Sequence, residues 1–309
     1  MSSPTLRPRA PRRARLIALL STLALTTSVG LTASAPAQAG PAPAPDSFVS
    51  DTGQVVGSMG ATHSGLVLAG SRGNPEAANG ESLLGEDTRT PVTDTSTYPT
   101  RAIGLITRNG SGWCTGWLIS KDTVVTAGHC VHPGGTGGAF YGGLQFWPGR
   151  DGADPRWGSC TPRAGGLFAP SGWTVNGDEE YDLATIKLSC SSGNNTGWFG
   201  LWAQDSGYTG YAMRVQGYPG DKPLTQWLST GLVKATGDRQ IFYTNDTIGG
   251  MSGSPVFRTG SHPGCGQTAC AAAIHTQGVH GSGTHGTYNH GTRITTTRAN
   301  QLRSIATAP

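Results

Sequence analysis

Thr123-Val124-Val125-Thr126-Ala127-Gly128-His129-Cys130 is a β-branched run that ends on a glycine and delivers a histidine and a cysteine to the turn that follows. Such residues favour a pleated, half-buried backbone, so the run reads as a strand from Thr123 to Ala127 with His129 just beyond its end. Cys114 lies 16 residues before Cys130, on the expected preceding strand Cys114 to Ile119. A disulfide between these two cysteines would close the hairpin and fix the backbone that carries the imidazole.

Further runs of the same kind extend in both directions: Ala102 to Thr107, Leu183 to Leu188, Ala212 to Gln216, Gln240 to Tyr243, Ser254 to Phe257 and Ala271 to His275. Gly, Pro, Asn and Asp separate them, the pattern of an all-β sandwich or barrel. The one good helical candidate is the C-terminal stretch Thr296 to Ile305. Glycine, at 48 of 309 residues, is about twice its average share, and charged residues, at 13%, are about half of theirs. Both suit a turn-rich β protein.

The N-terminus indicates export. Arg7, Arg9, Arg12, Arg13 and Arg15 precede an apolar run from Leu16 to Leu31, followed by Ala37-Gln38-Ala39, which has the three-part plan of a secretory signal peptide. Residues 1–39 are read as that signal and residues 40–81, rich in Ala, Pro, Gly and Ser with one apolar patch at Leu66-Val67-Leu68, as a propeptide that needs no core of its own. Residues 82–309 would be the mature chain, a secreted and soluble monomer without a membrane anchor. Its 16 basic and 14 acidic residues argue against nucleic-acid binding through a basic face. Six cysteines, all beyond residue 113 and with no CxxC pair, point in an exported chain to three disulfides.

Gly249-Gly250-Met251-Ser252-Gly253-Ser254-Pro255 is the strongest chemical signal. A nucleophilic serine needs freedom from side-chain bulk and nearby backbone N–H groups aimed at a developing oxyanion; here Gly250 and Ser252 would donate them. A serine hydroxyl also needs a general base, which His129 offers, and the base needs a buried carboxylate to hold its tautomer. Asp182 fits that part because it opens the apolar strand in Tyr181-Asp182-Leu183-Ala184-Thr185-Ile186-Lys187-Leu188. Asp178, Glu179 and Glu180 read as a solvated acidic turn, with a calcium site as an unsupported alternative. An α/β-hydrolase would need the order Ser, Asp, His, and here the order is His, Asp, Ser.

With TAGHC, YDLATIKL and GGMSGSP in that order, the chain resembles the chymotrypsin-like serine peptidases, and among them the bacterial glutamyl endopeptidases. The resemblance runs from about Ser82 to the end. It includes Thr100-Arg101-Ala102-Ile103, Cys114-Thr115-Gly116-Trp117, Pro148-Gly149-Arg150, Pro170-Ser171-Gly172-Trp173, Gly217-Tyr218-Pro219-Gly220-Asp221-Lys222, Ile274-His275-Thr276 and Gly291-Thr292-Arg293-Ile294-Thr295. It implies two six-stranded Greek-key barrels, at about 98–190 and 195–295, a C-terminal helix at about 296–306, no cofactor, and protein or peptide substrates. His129, Asp182 and Ser252 would be catalytic. Met251 stands where most activated digestive-type proteases carry aspartate, so activation through a new ammonium paired to that aspartate is ruled out.

Specificity is divided. Asp246, six residues before Ser252, occupies the position of the aspartate that selects Arg and Lys in trypsin. Thr247 and His275 match positions that line the carboxylate pocket of glutamyl endopeptidases, and a hydroxyl and an imidazole can both donate to an anion. Glu81-Ser82 at the expected mature start lets a Glu-specific enzyme release itself, which favours Glu at P1. The alternatives are an Arg/Lys-specific protease through Asp246 and a catalytically silent binding homologue. The resemblance pairs Cys265 with Cys270, which leaves Cys160 with Cys190. His280, His285 and His290 read as exposed loop and strand histidines rather than a metal site, since no carboxylate or cysteine joins them at ligand spacing.

Overall fold

The computed structural model describes residues 43–56 and 82–309. The expected signal peptide, the Leu66–Leu68 patch and Glu81 lie outside the described residues. A two-strand hairpin, β1 (Phe48–Ser50) and β2 (Val55–Val56), comes first. The first sheet proper follows, with β3 (Ile103–Arg108), β4 (Ser111–Leu118), β5 (Thr123–Thr126), β6 (Leu144–Pro148), β7 (Pro162–Pro170) and β8 (Ala184–Leu188). The second contains β9 (Ala212–Gly217), β10 (Trp227–Thr236), β11 (Gln240–Tyr243), β12 (Pro255–Thr259), β13 (Ala269–Gln277) and β14 (Asn289–Arg293).

The two sheets share one plan. In each, the first three strands form a meander, the fourth returns beside the first, and the sixth lies between the third and the fifth. A fourth strand beside the first is the Greek key. The second sheet closes as a six-stranded barrel through the ladders β12–β13 and β13–β14. In the first, a bridge from Phe146 in β6 to Cys160, just before β7, joins the corresponding ends.

The chain adopts this plan because its strands are apolar on the inner face. Ile103, Ile106, Trp117, Val124 and Val125 are fully buried in the first sheet; Met213, Val215, Ile241 and Tyr243 are fully buried in the second. Lys187 sits in β8 with its side chain 1% exposed. Its ammonium is satisfied there by Asp122 Oδ1 at 3.0 Å and by the carbonyls of Ala306 and Ala308, as a buried charge must be. Those carbonyls end the C-terminal helix, Thr296–Thr307, which Thr295 caps by accepting from the Arg298 N–H. Arg298 is also buried, and burial pulls its pKa down to about 10. It donates to the carbonyls of Arg293 and Glu180, which ties the helix to the turn before Asp182.

The first sheet extends beyond the range expected for it. β1 adds to the edge of β7, with Phe48 opposite Pro170 and Ser50 opposite Phe168. Phe48 is fully buried. Ser171 Oγ donates to the Ala44 carbonyl, Gln301 Nε2 to the Asp46 carbonyl, and Arg239 pairs with the Asp46 carboxylate at 3.2 Å. This segment has no core of its own and uses that of the following domain.

Candidate active site

His129 lies on a single 3-10 turn, Gly128–Cys130, immediately after β5. Asp182 follows another, Glu179–Tyr181, whose start Asp178 caps by accepting from the Glu180 N–H. Fully buried, Asp182 grips His129 twice: Oδ2 lies 2.7 Å from Nδ1 of the ring, and Oδ1 accepts from the His129 backbone N–H at 2.9 Å. Thr292 Oγ1 in β14 donates to the Asp182 carbonyl at 2.9 Å. One carboxylate therefore fixes both the backbone and the ring of the histidine, and the second barrel holds its peptide.

Ser252 lies on the turn before β12. Gly250, at φ +99°, has the left-handed backbone that glycine tolerates. A Cβ there would lie 2.7 Å from the Tyr218 carbonyl, so the position admits no side chain. Met251 is fully buried in the second core; where an aspartate would need a charged partner, this side chain is anchored by packing. His275 is fixed to the same loop through its backbone, which accepts from Gly253 N–H at 2.7 Å and donates to the Ser254 carbonyl at 2.9 Å.

Thr115 is a site residue that sequence reasoning missed. Its N–H donates to the Ser252 carbonyl at 2.8 Å. Its Oγ1 donates to the Gly250 carbonyl at 2.9 Å and accepts from the Tyr218 N–H at 2.9 Å. Thr126 Oγ1, next to the His129 turn, donates to the Thr115 carbonyl. One residue of β4 thus fastens the serine loop to the strand pair that carries the histidine. Its place beside Cys114 was the only hint, because all of these partners but Thr126 are more than 100 residues distant.

Thr247 and His275, expected to line the substrate pocket, are both fully buried. Thr247 Oγ1 has no hydrogen-bond partner among the described residues, and His275 Nδ1 lies 2.6 Å from the Tyr243 hydroxyl. Asp246 is engaged elsewhere. Its Oδ1 accepts from Leu84 N–H at 2.7 Å, and its Oδ2 accepts from the N–H and the hydroxyl of Thr88. Ser82 is held close by: its carbonyl accepts from Asn289 Nδ2 at 2.6 Å and from Thr247 N–H at 3.2 Å. Arg89, its side chain fully buried, completes the attachment by clasping Asp87 and Asp221 through bidentate pairs. The Arg89 hydrogen bonds hold Asp87 down to about 2 and lower Asp221 as well.

The structure pairs Cys114 with Cys130, Cys160 with Cys190 and Cys265 with Cys270, at Cα separations of 6.1, 6.0 and 5.9 Å. The histidine-rich loop departs from expectation. His280 and His285 are partly exposed, but His290 is fully buried. Glu179, expected in a solvated turn, joins them: its oxygens lie 3.0 Å from His280 Nε2 and 3.1 Å from His285 Nε2. The fold thus brings a carboxylate to the histidines that no local spacing could reveal.

Residues 114–262 match the trypsin-like peptidase domain family. The chain is 42% identical over 199 residues to a glutamyl endopeptidase of Bacillus licheniformis, covering 64% of this chain and 61% of that protein. It is 36% identical over 212 residues to a Bacillus subtilis protein named extracellular metalloprotease, covering 66% and 65%. The chain therefore spans somewhat less than two thirds of the length of these relatives. A solved Glu endopeptidase in complex with MPD superposes with a TM-score of 0.61 at 28% identity, covering 73% of this chain and all of that one. The fold and the paired His129 and Asp182 thus belong to a chain that is similar over residues 114–262 to the trypsin-like peptidase domain, and over somewhat less than two thirds of its length to a bacterial glutamyl endopeptidase.

Proposed function

We propose that the chain is a secreted serine endopeptidase that cleaves after glutamate. Ser252 Oγ attacks the scissile carbonyl, His129 takes its proton and later gives it to the leaving amine, and Asp182 holds the ring tautomer and stabilises the imidazolium. The N–H groups of Gly250 and Ser252 receive the oxyanion. The two-point grip of Asp182 on His129 is the observation that carries this reading, since a merely structural histidine needs no buried carboxylate on both its backbone and its ring. The metalloprotease name of one relative gains no support at this site: Cys114 and Cys130, the potential ligands beside His129, are joined to each other.

Glutamate preference rests on the commitment of Asp246. A carboxylate already saturated by three donors from residues 84–88 is a poor partner for a substrate arginine. Thr247 and His275 supply donors for an anion instead. Residues 1–39 act as signal peptide, and residues 40–81 as a pro-segment that ends just before Ser82, whose carbonyl accepts from the Thr247 N–H. Cleavage there leaves an ammonium on Ser82, within reach of Asn289 Oδ1, which the Ser82 N–H faces at 3.3 Å. Positive charge beside Thr247 would further favour a substrate carboxylate.

The test compares kcat/KM for fluorogenic peptides that differ only in P1. Glu should exceed Arg by at least about a hundredfold, a typical margin for a pocket built around polar donors. Faster cleavage after Arg would overturn the specificity while leaving the serine mechanism intact.

A further inference from the structure

We propose that Glu179, His280, His285 and His290 form a zinc site that fastens the turn preceding Asp182 to the second barrel. The ligand atoms of Glu179, His285 and His290 all lie within 4.8 Å of one another. His280 stands beside this group rather than within it, its Nε2 3.0 Å from Glu179 Oε2, and would swing inward to serve as the fourth ligand. In a tetrahedral zinc site with bonds of about 2.0 to 2.2 Å, neighbouring ligand atoms are about 3.3 to 3.6 Å apart. The Glu179 contacts, at 3.0 and 3.1 Å, are made by its two different oxygens and are already near that spacing, and the imidazoles would draw in around one of those oxygens to close on the ion.

His290 points to a ligand independently of that clustering. It is fully buried in β14, yet neither ring nitrogen has a hydrogen-bond partner among the described residues. A buried imidazole in this state carries an unmet lone pair, which is costly to desolvate, and a cation would give that lone pair a partner. Its ring lies 4.8 Å from that of His285 and 5.1 Å from that of His280, centroid to centroid. Gln240 Oε1, 3.0 Å from His285 Nε2, closes the other side of the loop.

Three imidazoles and one carboxylate suit a borderline cation such as zinc. They do not suit calcium, which takes six to eight oxygens. Glu179 stands three residues before Asp182, whereas the histidines belong to the loop after β13 and to β14. A bound ion would join the segment carrying Asp182 to the barrel that carries Ser252, independently of the Thr292 contact.

The experiment uses the untagged full chain carrying Ser252→Ala, which cannot digest itself, stripped with chelator and titrated calorimetrically with zinc chloride. One zinc per chain should bind, and Tm should rise by about 5 to 10 °C at a hundredfold excess over Kd. Glu179→Gln and His285→Ala, on the accessible side of the cluster, should each weaken binding at least about tenfold, as loss of a supporting group at a metal site does. His262→Ala, outside the cluster, should bind as the parent does. Uptake below about one tenth of an equivalent would overturn the proposal, as would uptake left unchanged by both cluster variants.

Discussion

Thr115→Val removes a hydroxyl while keeping the shape of the side chain. The hydroxyl serves two partners, the Gly250 carbonyl and the Tyr218 N–H, each at 2.9 Å. Valine leaves both without it, in a place where Thr115 itself is fully buried. A buried polar group left unsatisfied costs about 1 to 3 kcal/mol, so the pair should cost about 2 to 4 kcal/mol. For a domain of this size that corresponds to a fall in Tm of roughly 5 to 15 °C. The backbone bond from Thr115 N–H to Ser252 survives, so the fold should persist. Gly250, however, loses the group that holds its carbonyl, and with it the fixed direction of its N–H. Removing an oxyanion donor outright costs about a hundredfold to a thousandfold in kcat; loosening one should cost about tenfold to a hundredfold, in kcat rather than KM. Urea melts and steady-state kinetics on a Glu-P1 peptide measure both effects. A variant within twofold of wild type in kcat, with stability changed by less than about 0.5 kcal/mol, would refute the claim that Thr115 fastens the serine loop.

Three further outcomes follow from the same contacts. Asp246→Ala should lower Tm by several degrees, because two backbone N–H groups of residues 84–88 lose their acceptor, while the preference for Glu is retained; unchanged stability together with loss of Arg cleavage would show Asp246 to be a trypsin-type selector. The Asp87 carboxylate, held down by its hydrogen bonds to Arg89, contributes stability that is present above its unfolded value of 3.8 and lost as pH falls towards about 2, and Asp221, lowered by the same guanidinium, acts in the same direction. Melting temperature should therefore drop more steeply below pH 4 in wild type than in Asp87→Asn, and parallel curves would refute the link. Phe48→Ala in the full chain carrying Ser252→Ala should lower Tm by at least about 5 °C, since truncating a buried phenylalanine costs about 3 to 5 kcal/mol; a change under about 1 °C would mean that the pro-segment is not docked through β1.

The residues that gave the reading from sequence are those whose chemistry is local. The run Thr123 to Ala127 is β-branched and fully buried, and the strand ends next to His129 where the pattern stops. The run Gln240 to Tyr243 matches its strand without error. Other strands were illegible for physical reasons. β14, Asn-His-Gly-Thr-Arg, has no hydrophobic residue, yet all five residues are buried; several of its polar groups, such as Thr292 Oγ1 on the Asp182 carbonyl, are met only by distant contacts. β10 carries Lys234 and Gly231 and alternates irregularly. β7 contains Gly165 and Gly166 and a proline at each end.

The site divides the same way. His129, Asp182 and Ser252 could be read because each follows or opens an apolar strand with a recognisable turn. The role of Asp246 could not, because its partners lie 158 and 162 residues away in sequence. Nor could the company kept by His280, 101 residues from Glu179. Register within a strand is a local matter, whereas these pairings exist only once segments far apart in sequence have closed against each other.

The most direct measurement is mass spectrometry of the mature enzyme after treatment with a serine-phosphonylating reagent. One adduct per chain, located on Ser252 and abolished by His129→Ala, is the expected result. An adduct elsewhere, no adduct on an active preparation, or a Ser252→Ala variant with activity within tenfold of wild type would contradict the central claim.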